Sequence, residues 1–230
     1  MRVIIRFLPI ALLLVGISSY ADTPASSDYP GRLANFVRGS WEHGVPYAEA
    51  RAFGPDALPY LRTWLKADAL QEWSTIVWMI GYIGQPEDFA TLRDFLENRF
   101  SGEVDGPTFD ALLSAIHVMG HIAVSSDEAM SYLRSATNPS FFQNIRWTHD
   151  TSDVQDLRVL LSKLAINALS STGRPEAERT LKDLQNKPYD PRQRDNVSEG
   201  LARHKAIVAK GRLQYFESFG LSTGPSEENK

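Results

Sequence analysis

His117 and His121 stand four residues apart. On a helix they project from one face, one turn apart. That is the spacing of a helical zinc pair. The glutamate that commonly follows the first histidine is replaced by Val118, and a third ligand would have to come from His149, His43 or an acidic side chain elsewhere. The competing reading is a pair of groove or packing histidines. Either way, two imidazoles that titrate near neutral pH leave weak pH sensing open. The chain has no cysteine, which excludes disulfides, thiolate zinc sites, a cysteine nucleophile and a lipidated cysteine. Gly220-Leu221-Ser222-Thr223-Gly224 has the letters of a hydrolase elbow. That motif needs a strand before it and a helix after it. Here a helical run precedes and Pro225 with a polar tail follows, so the match is rejected. Asn196-Val197-Ser198 has the form of a glycosylation sequon but lies at a helix start. Glu87-Asp88 and Asp127-Glu128 fall in first helical turns, where the helix dipole accounts for them. There is no phosphate loop. No catalytic residue is assigned and no cofactor is implied.

A second constellation is aromatic. Trp73, Val77, Trp78 and Tyr82 share one helical face, and exposed aromatic patches of this kind mark contacts.

The elements that carry these residues are joined by a recurring signal. Met79-Ile80-Gly81-Tyr82-Ile83-Gly84-Gln85-Pro86 reads as a helix end, a turn and a new helix start. Gly84 suits a left-handed C-terminal cap and Pro86 a first helical turn. The pattern returns from Ala168 through Gly173 and Pro175 to Leu181, more loosely from Val118 to Leu133, and in clipped form from Ala52 to Leu61. Its starts at Met79, Val118 and Ala168 lie 39 and 50 residues apart, which suits a two-helix repeat with an insertion in the second interval. Helices are expected over 46–53, 55–66, 69–83, 86–99, 108–122, 153–170, 175–185 and 197–219, with one from Ser126 to about Ala136 begun by a capping box in Ser125-Ser126-Asp127-Glu128. Asn196 is read as the cap of the last helix and Gly211 as its weak point. Asn138–Asp150 interrupts the repeat. Phe141, Phe142, Ile145 and Trp147 make it too apolar for a solvated loop, so a packed short helix is expected there. No strand of useful length is expected.

Ala168-Leu169-x-x-x-Gly173-x-Pro175-Glu176-Ala177-x-x-x-Leu181, and Ile80 to Leu92 almost as well, resemble the joint of HEAT-like repeats, the short type of phycobilisome bilin lyases. The resemblance covers about residues 46–185. It departs at Val118, where Ala123 replaces the glycine and the proline is missing. It implies an all-α fold, a short right-handed α-solenoid of helical hairpins with a long C-terminal helix, and it says almost nothing of function. It also implies that the second helix of each pair lines a concave, ligand-facing side. Aligned on that basis, Ile76, Met79, Ile80 and Ile83, Leu113 or Ala115 with Val118, Met119 and Ile122, and Leu164, Ala165, Ala168 and Leu169 fall in the core. Four columns turn outward: Trp78, His117 and Asn167; Tyr82, His121 and Ser171; Trp73, Leu112 and Ser162; Val77, Ile116 and Ile166. These columns are too apolar for open surface. One reading is a partner groove formed by Trp73, Val77, Trp78, Tyr82, Ile116, His117, His121 and Asn167. The other is that the chain covers its own groove, with the last helix (Leu201, Ile207, Val208, Leu213, Tyr215, Phe216) or with the insertion at 141–147.

Composition sets the context. With 43% hydrophobic and 23% charged residues the chain is expected to build a core. Residues 1–21 read as a secretory signal: Arg2 and Arg6, an apolar run from Phe7 to Ile17, and Ser19-Tyr20-Ala21 as the cleavage site. The run is about half the ~20 residues of a membrane span, and no second one exists, so the mature chain is expected to be exported, periplasmic or secreted, without stable membrane insertion. The net charge is −4, and −6 without Arg2 and Arg6, which disfavours nucleic-acid binding. The expected organisation is a signal (1–21), a leader with a short helix (22–45), the repeat region (46–185), a linker and capping helix (186–219) and a polar tail (220–230). The function expected is a scaffold that binds a protein or peptide through the concave face. The alternative is a metal-binding protein or enzyme that uses His117 and His121.

Overall fold

The computed structural model describes residues 28–39, 41, 44–67, 72–150 and 153–220. The expected signal, residues 22–27 of the leader, His43 and the tail from 221 onward lie outside the described residues. The fold is all-α. Helices α1 (Tyr29–Val37) and α2 (Tyr47–Ala52) precede α3 (Leu58–Lys66), which is entered through a 3-10 turn at Pro55–Ala57. Three pairs follow: α4 (Trp73–Ile83) with α5 (Asp88–Glu97), α6 (Gly106–Ile122) with α7 (Asp127–Ala136), and α8 (Val154–Ser170) with α9 (Pro175–Asn186). Helices α10 (Arg194–Lys210) and α11 (Arg212–Gly220) end the described chain.

Packing follows chain order. Helix α4 packs on α6, α6 on α8 and α8 on α10, while α3, α5, α7 and α9 pack on α4, α6, α8 and α10 respectively. Two sets of helices thus enclose one core, which includes Ile76, Met79, Ile80, Val118, Met119, Ile122, Ala165, Ala168 and Leu169. Small residues let the inner helices approach. A Cβ on Gly81 would lie 2.3 Å from the Val118 Cβ, and one on Gly120 2.3 Å from the Ala168 carbonyl oxygen.

The joints are built in two ways. Gly173 has φ +69°, the left-handed conformation that glycine adopts without strain, and Pro175 opens α9. Gly84 departs from the expected left-handed cap: its backbone is extended, with φ −60° and ψ 156°. Glycine is required there for space, since a Cβ would sit 2.2 Å from the Ile80 carbonyl oxygen. Asp88 organises that turn instead. It is fully buried, accepts the Gln85 N–H at 2.8 Å and pairs with Arg62 Nε at 2.6 Å, so α5 begins at Asp88 rather than at Pro86. Nor does the expected capping box form. Ser126 Oγ caps α7 through the Ala129 N–H, and Glu128 pairs with Arg93 at 3.0 Å.

The interrupting segment forms a 3-10 helix, Pro139–Asn144, and a two-residue strand β2 (Trp147–Thr148) that runs parallel to β1 (Gly102–Glu103). Trp147 is fully buried and donates its indole N–H to the Leu96 carbonyl at 2.8 Å. The 3-10 helix packs on α7 and α8, and Phe141 meets Tyr132 of α7 edge-on. The expected last helix is two helices. A box on Asp190 and Gln193 caps a 3-10 turn, Pro191–Gln193, that leads into α10 at Arg194, so Asn196 lies inside that helix and is not its cap. Gly211, at φ +82°, ends α10 before α11 begins. Gln193 anchors this region: fully buried, it donates to the Thr137 carbonyl at 2.7 Å and to Ser162 Oγ at 2.8 Å.

Candidate binding surface on α4, α6 and α8

The outward columns divide. Val77, Ile116 and Ile166 have no exposed surface, and Leu112 and Ser162 are equally enclosed. Val77 and Ile116 therefore cannot touch a partner in this conformation. They form a floor, because helices packed on both sides leave no free face there. Trp73 belongs elsewhere: its ring packs against Phe100 (5.3 Å) and Phe95 (6.3 Å), under the Arg99 guanidinium.

The remaining residues converge. Trp78 meets His117 at 5.1 Å and Tyr82 at 5.3 Å between ring centroids. Tyr82 meets His121 at 4.9 Å. Helix α2 adds Tyr47, 4.8 Å from Tyr82 and 5.9 Å from His121. Helix α11 adds Phe216, 4.8 Å from His121 and 5.6 Å from Tyr47. Arg212, at the start of α11, meets His121 Nδ1 through Nη2, donates from Nε to the Ser171 carbonyl at 3.2 Å and lies over the Phe216 ring at 5.1 Å. Arg203 of α10 donates to Ser170 Oγ at 3.2 Å. The C-terminal helices, not the 141–147 insertion, thus cover part of this face. Trp78, Tyr82, His117 and Asn167 keep part of their surface exposed, whereas His121 and Ser171 are buried.

Electrostatics follow from that enclosure. Burial lowers the pKa of His117 to about 4, with Arg203 adding to the effect. Burial, followed by Arg212, His117 and Arg51, holds His121 well below its ordinary value. Its Nδ1 then accepts from Arg212, which fixes the proton on Nε2. Burial also raises the Tyr82 phenol. All three groups stay neutral at pH 7, so none can serve as a general acid in cationic form or as a phenolate nucleophile. A cation against His121 likewise opposes a metal there. His149 is remote from this pair: it stacks on Phe109 at 4.2 Å and its Nδ1 meets the Val104 carbonyl. Among the described residues no three His, Asp or Glu side chains are placed to share a metal ion; His43, the other histidine considered as a third ligand, lies outside them.

Sequence reasoning missed Tyr47, Arg51, Arg203 and Arg212. Tyr47 and Arg51 carried a faint signal, the i,i+4 spacing on one short helix. The two C-terminal arginines carried none. Set against protein-family models, curated proteins and solved structures, the chain has no match. The reading of this surface therefore rests on its geometry.

Proposed function

We propose that the protein is a non-catalytic scaffold of HEAT-like helical hairpins, a short right-handed α-solenoid, exported after loss of residues 1–21. It binds a protein or peptide partner through the strip formed by Trp78, Tyr82, His117 and Asn167. The chain-order stacking of α4, α6, α8 and α10 supports the repeat reading. One observation carries the docking reading. Trp78, Tyr82 and His117 form a continuous ring-to-ring strip that stays partly exposed between segments of the chain that cover its neighbours. Large amphipathic rings held rigidly on a packed floor supply contact area at little entropic cost. Val77 and Ile116 are that floor. No helix among the described residues is long and apolar enough to cross a membrane.

Photo-crosslinking in the native host tests this, with a probe at position 78 and a control probe at position 93. One discrete partner captured from 78 and not from 93 is the expected outcome. Crosslinks from 78 that run only into residues 196–219 of the same chain would show that the strip is closed by the chain itself, and would overturn the reading.

A further inference from the structure

Most arginines for which an ion pair is seen sit on the outer helices. Arg62, Arg93, Arg174, Arg179 and Arg192 each have a carboxylate within 4 Å. On the inner face the pattern reverses. Among the described residues no carboxylate pairs with Arg51, Arg203 or Arg212, and the neighbours that influence His117, His121 and Arg212 are cations, tyrosines and one another.

Arg212 is the extreme case. It is largely buried, and burial with Arg51 close by lowers its pKa. A guanidinium removed from water without a counter-charge is costly, and a second cation beside it adds to the cost. Tyr47 links the two. Arg51 Nη1 donates to its hydroxyl oxygen at 2.9 Å, and Arg212 lies against the same phenol. The Tyr47 ring is buried, and its hydroxyl proton has no acceptor among the described residues. Both guanidinium groups thus have neutral acceptors, Tyr47 for Arg51 and the Ser171 carbonyl and His121 Nδ1 for Arg212, but no carboxylate among the described residues supplies a counter-charge where they converge beside the partly exposed Tyr82. Planar N–H forks of this kind match the paired oxygens of a carboxylate or a phosphate. The half-exposed Arg203, beside His117, extends the positive charge along the strip.

We propose that Arg51, Arg212 and the Tyr47 hydroxyl form an oxyanion-binding site, and that the ligand is a carboxylate or phosphate group carried by the partner that docks on the Trp78 strip. The second half of this statement rests on the docking reading; the site itself does not. The partner is then an acidic or phosphorylated peptide segment with an apolar residue for Trp78.

The test is a titration of full-length protein with two probes, glutarate and inorganic phosphate, each at constant ionic strength and pH 7. The arginine Nε–H resonances are followed by nuclear magnetic resonance. Saturable shifts at Arg212 and Arg51 are expected with at least one probe. Saturation with glutarate alone assigns a carboxylate, with phosphate alone a phosphate group, and with both a general oxyanion site. Arg51→Gln removes the charge of an exposed side chain, and should weaken saturation roughly tenfold or more. Arg212→Gln should abolish it. Shifts that stay linear for both probes, or saturation unchanged in Arg51→Gln, would overturn the site. A saturable site with no partner captured from position 78 keeps this inference and removes the docking reading. Capture without saturation does the reverse.

Discussion

His121 offers its Nδ1 lone pair to Arg212, and only the neutral ring can do so. His117 next to it is held neutral down to about pH 4 by burial, with Arg203 adding to it. Unfolded, each ring takes up a proton near its ordinary pKa of 6.5. Above pH 6.5 the folded and unfolded states bind equal numbers of protons at these sites, and the stability of the neutral pair is intact. Below 6.5 the unfolded chain binds more, so stability falls on acidification by ~1.4 kcal/mol per pH unit for each proton of difference. For His117 the loss continues until about pH 4. Thermal melts should therefore show a falling Tm from pH 7 to pH 4.5, and His117→Asn should make that fall shallower. A variant that loses Tm as steeply as the parent chain would contradict the buried-neutral assignment. The sequence showed these histidines as a spaced pair. It could not show that a guanidinium 91 residues away occupies one of them.

The contacts between elements follow from side-chain volume. Gly120→Ala places a methyl group against the Ala168 carbonyl, and overpacking of that kind costs about 1–3 kcal/mol. Equilibrium denaturation should show that loss, and an unchanged midpoint would mean that α6 and α8 do not approach so closely. Trp147→Phe keeps an aromatic ring in place and removes the indole donor to Leu96, a loss of about 1 kcal/mol by the same measurement. Most helices were legible from apolar spacing, and the joint at Gly173 and Pro175 formed as its letters suggest. The similar letters at Gly84 and Pro86 folded differently. There the turn is closed by Asp88, which Arg62 of α3 holds in place, and a joint read in isolation contains no trace of that partner. The capping box failed for a similar reason: Glu128 reaches across to Arg93 rather than back to its own helix start.

At the scale of the whole molecule, the decisive fact is which segments return to the inner face. Tyr47 and Phe216 lie at opposite ends of the described chain and meet at 5.6 Å. Helical periodicity assigns residues to faces, but it cannot say which faces meet at such separations. Both readings of the groove consequently survived the sequence, and the structure divides them. Val77, Ile116 and His121 are enclosed, while Trp78, Tyr82 and His117 are partly open. A chain that ends at Lys210 lacks Arg212 and Phe216, so His121 should become reactive toward diethylpyrocarbonate. Reactivity equal to that of the full chain would show that α11 does not cover it. The claim on which the account turns is that the partner docks on the Trp78 strip. Titration of the partner crosslinked from position 78 against Trp78→Ala and Trp73→Ala tests it most directly, with both variants first shown to be folded. Trp78→Ala should weaken binding by about 1–4 kcal/mol, and Trp73→Ala, whose ring packs against Phe95 and Phe100 instead, should leave it unchanged. Unchanged binding in Trp78→Ala, or equal losses in the two variants, would contradict the account.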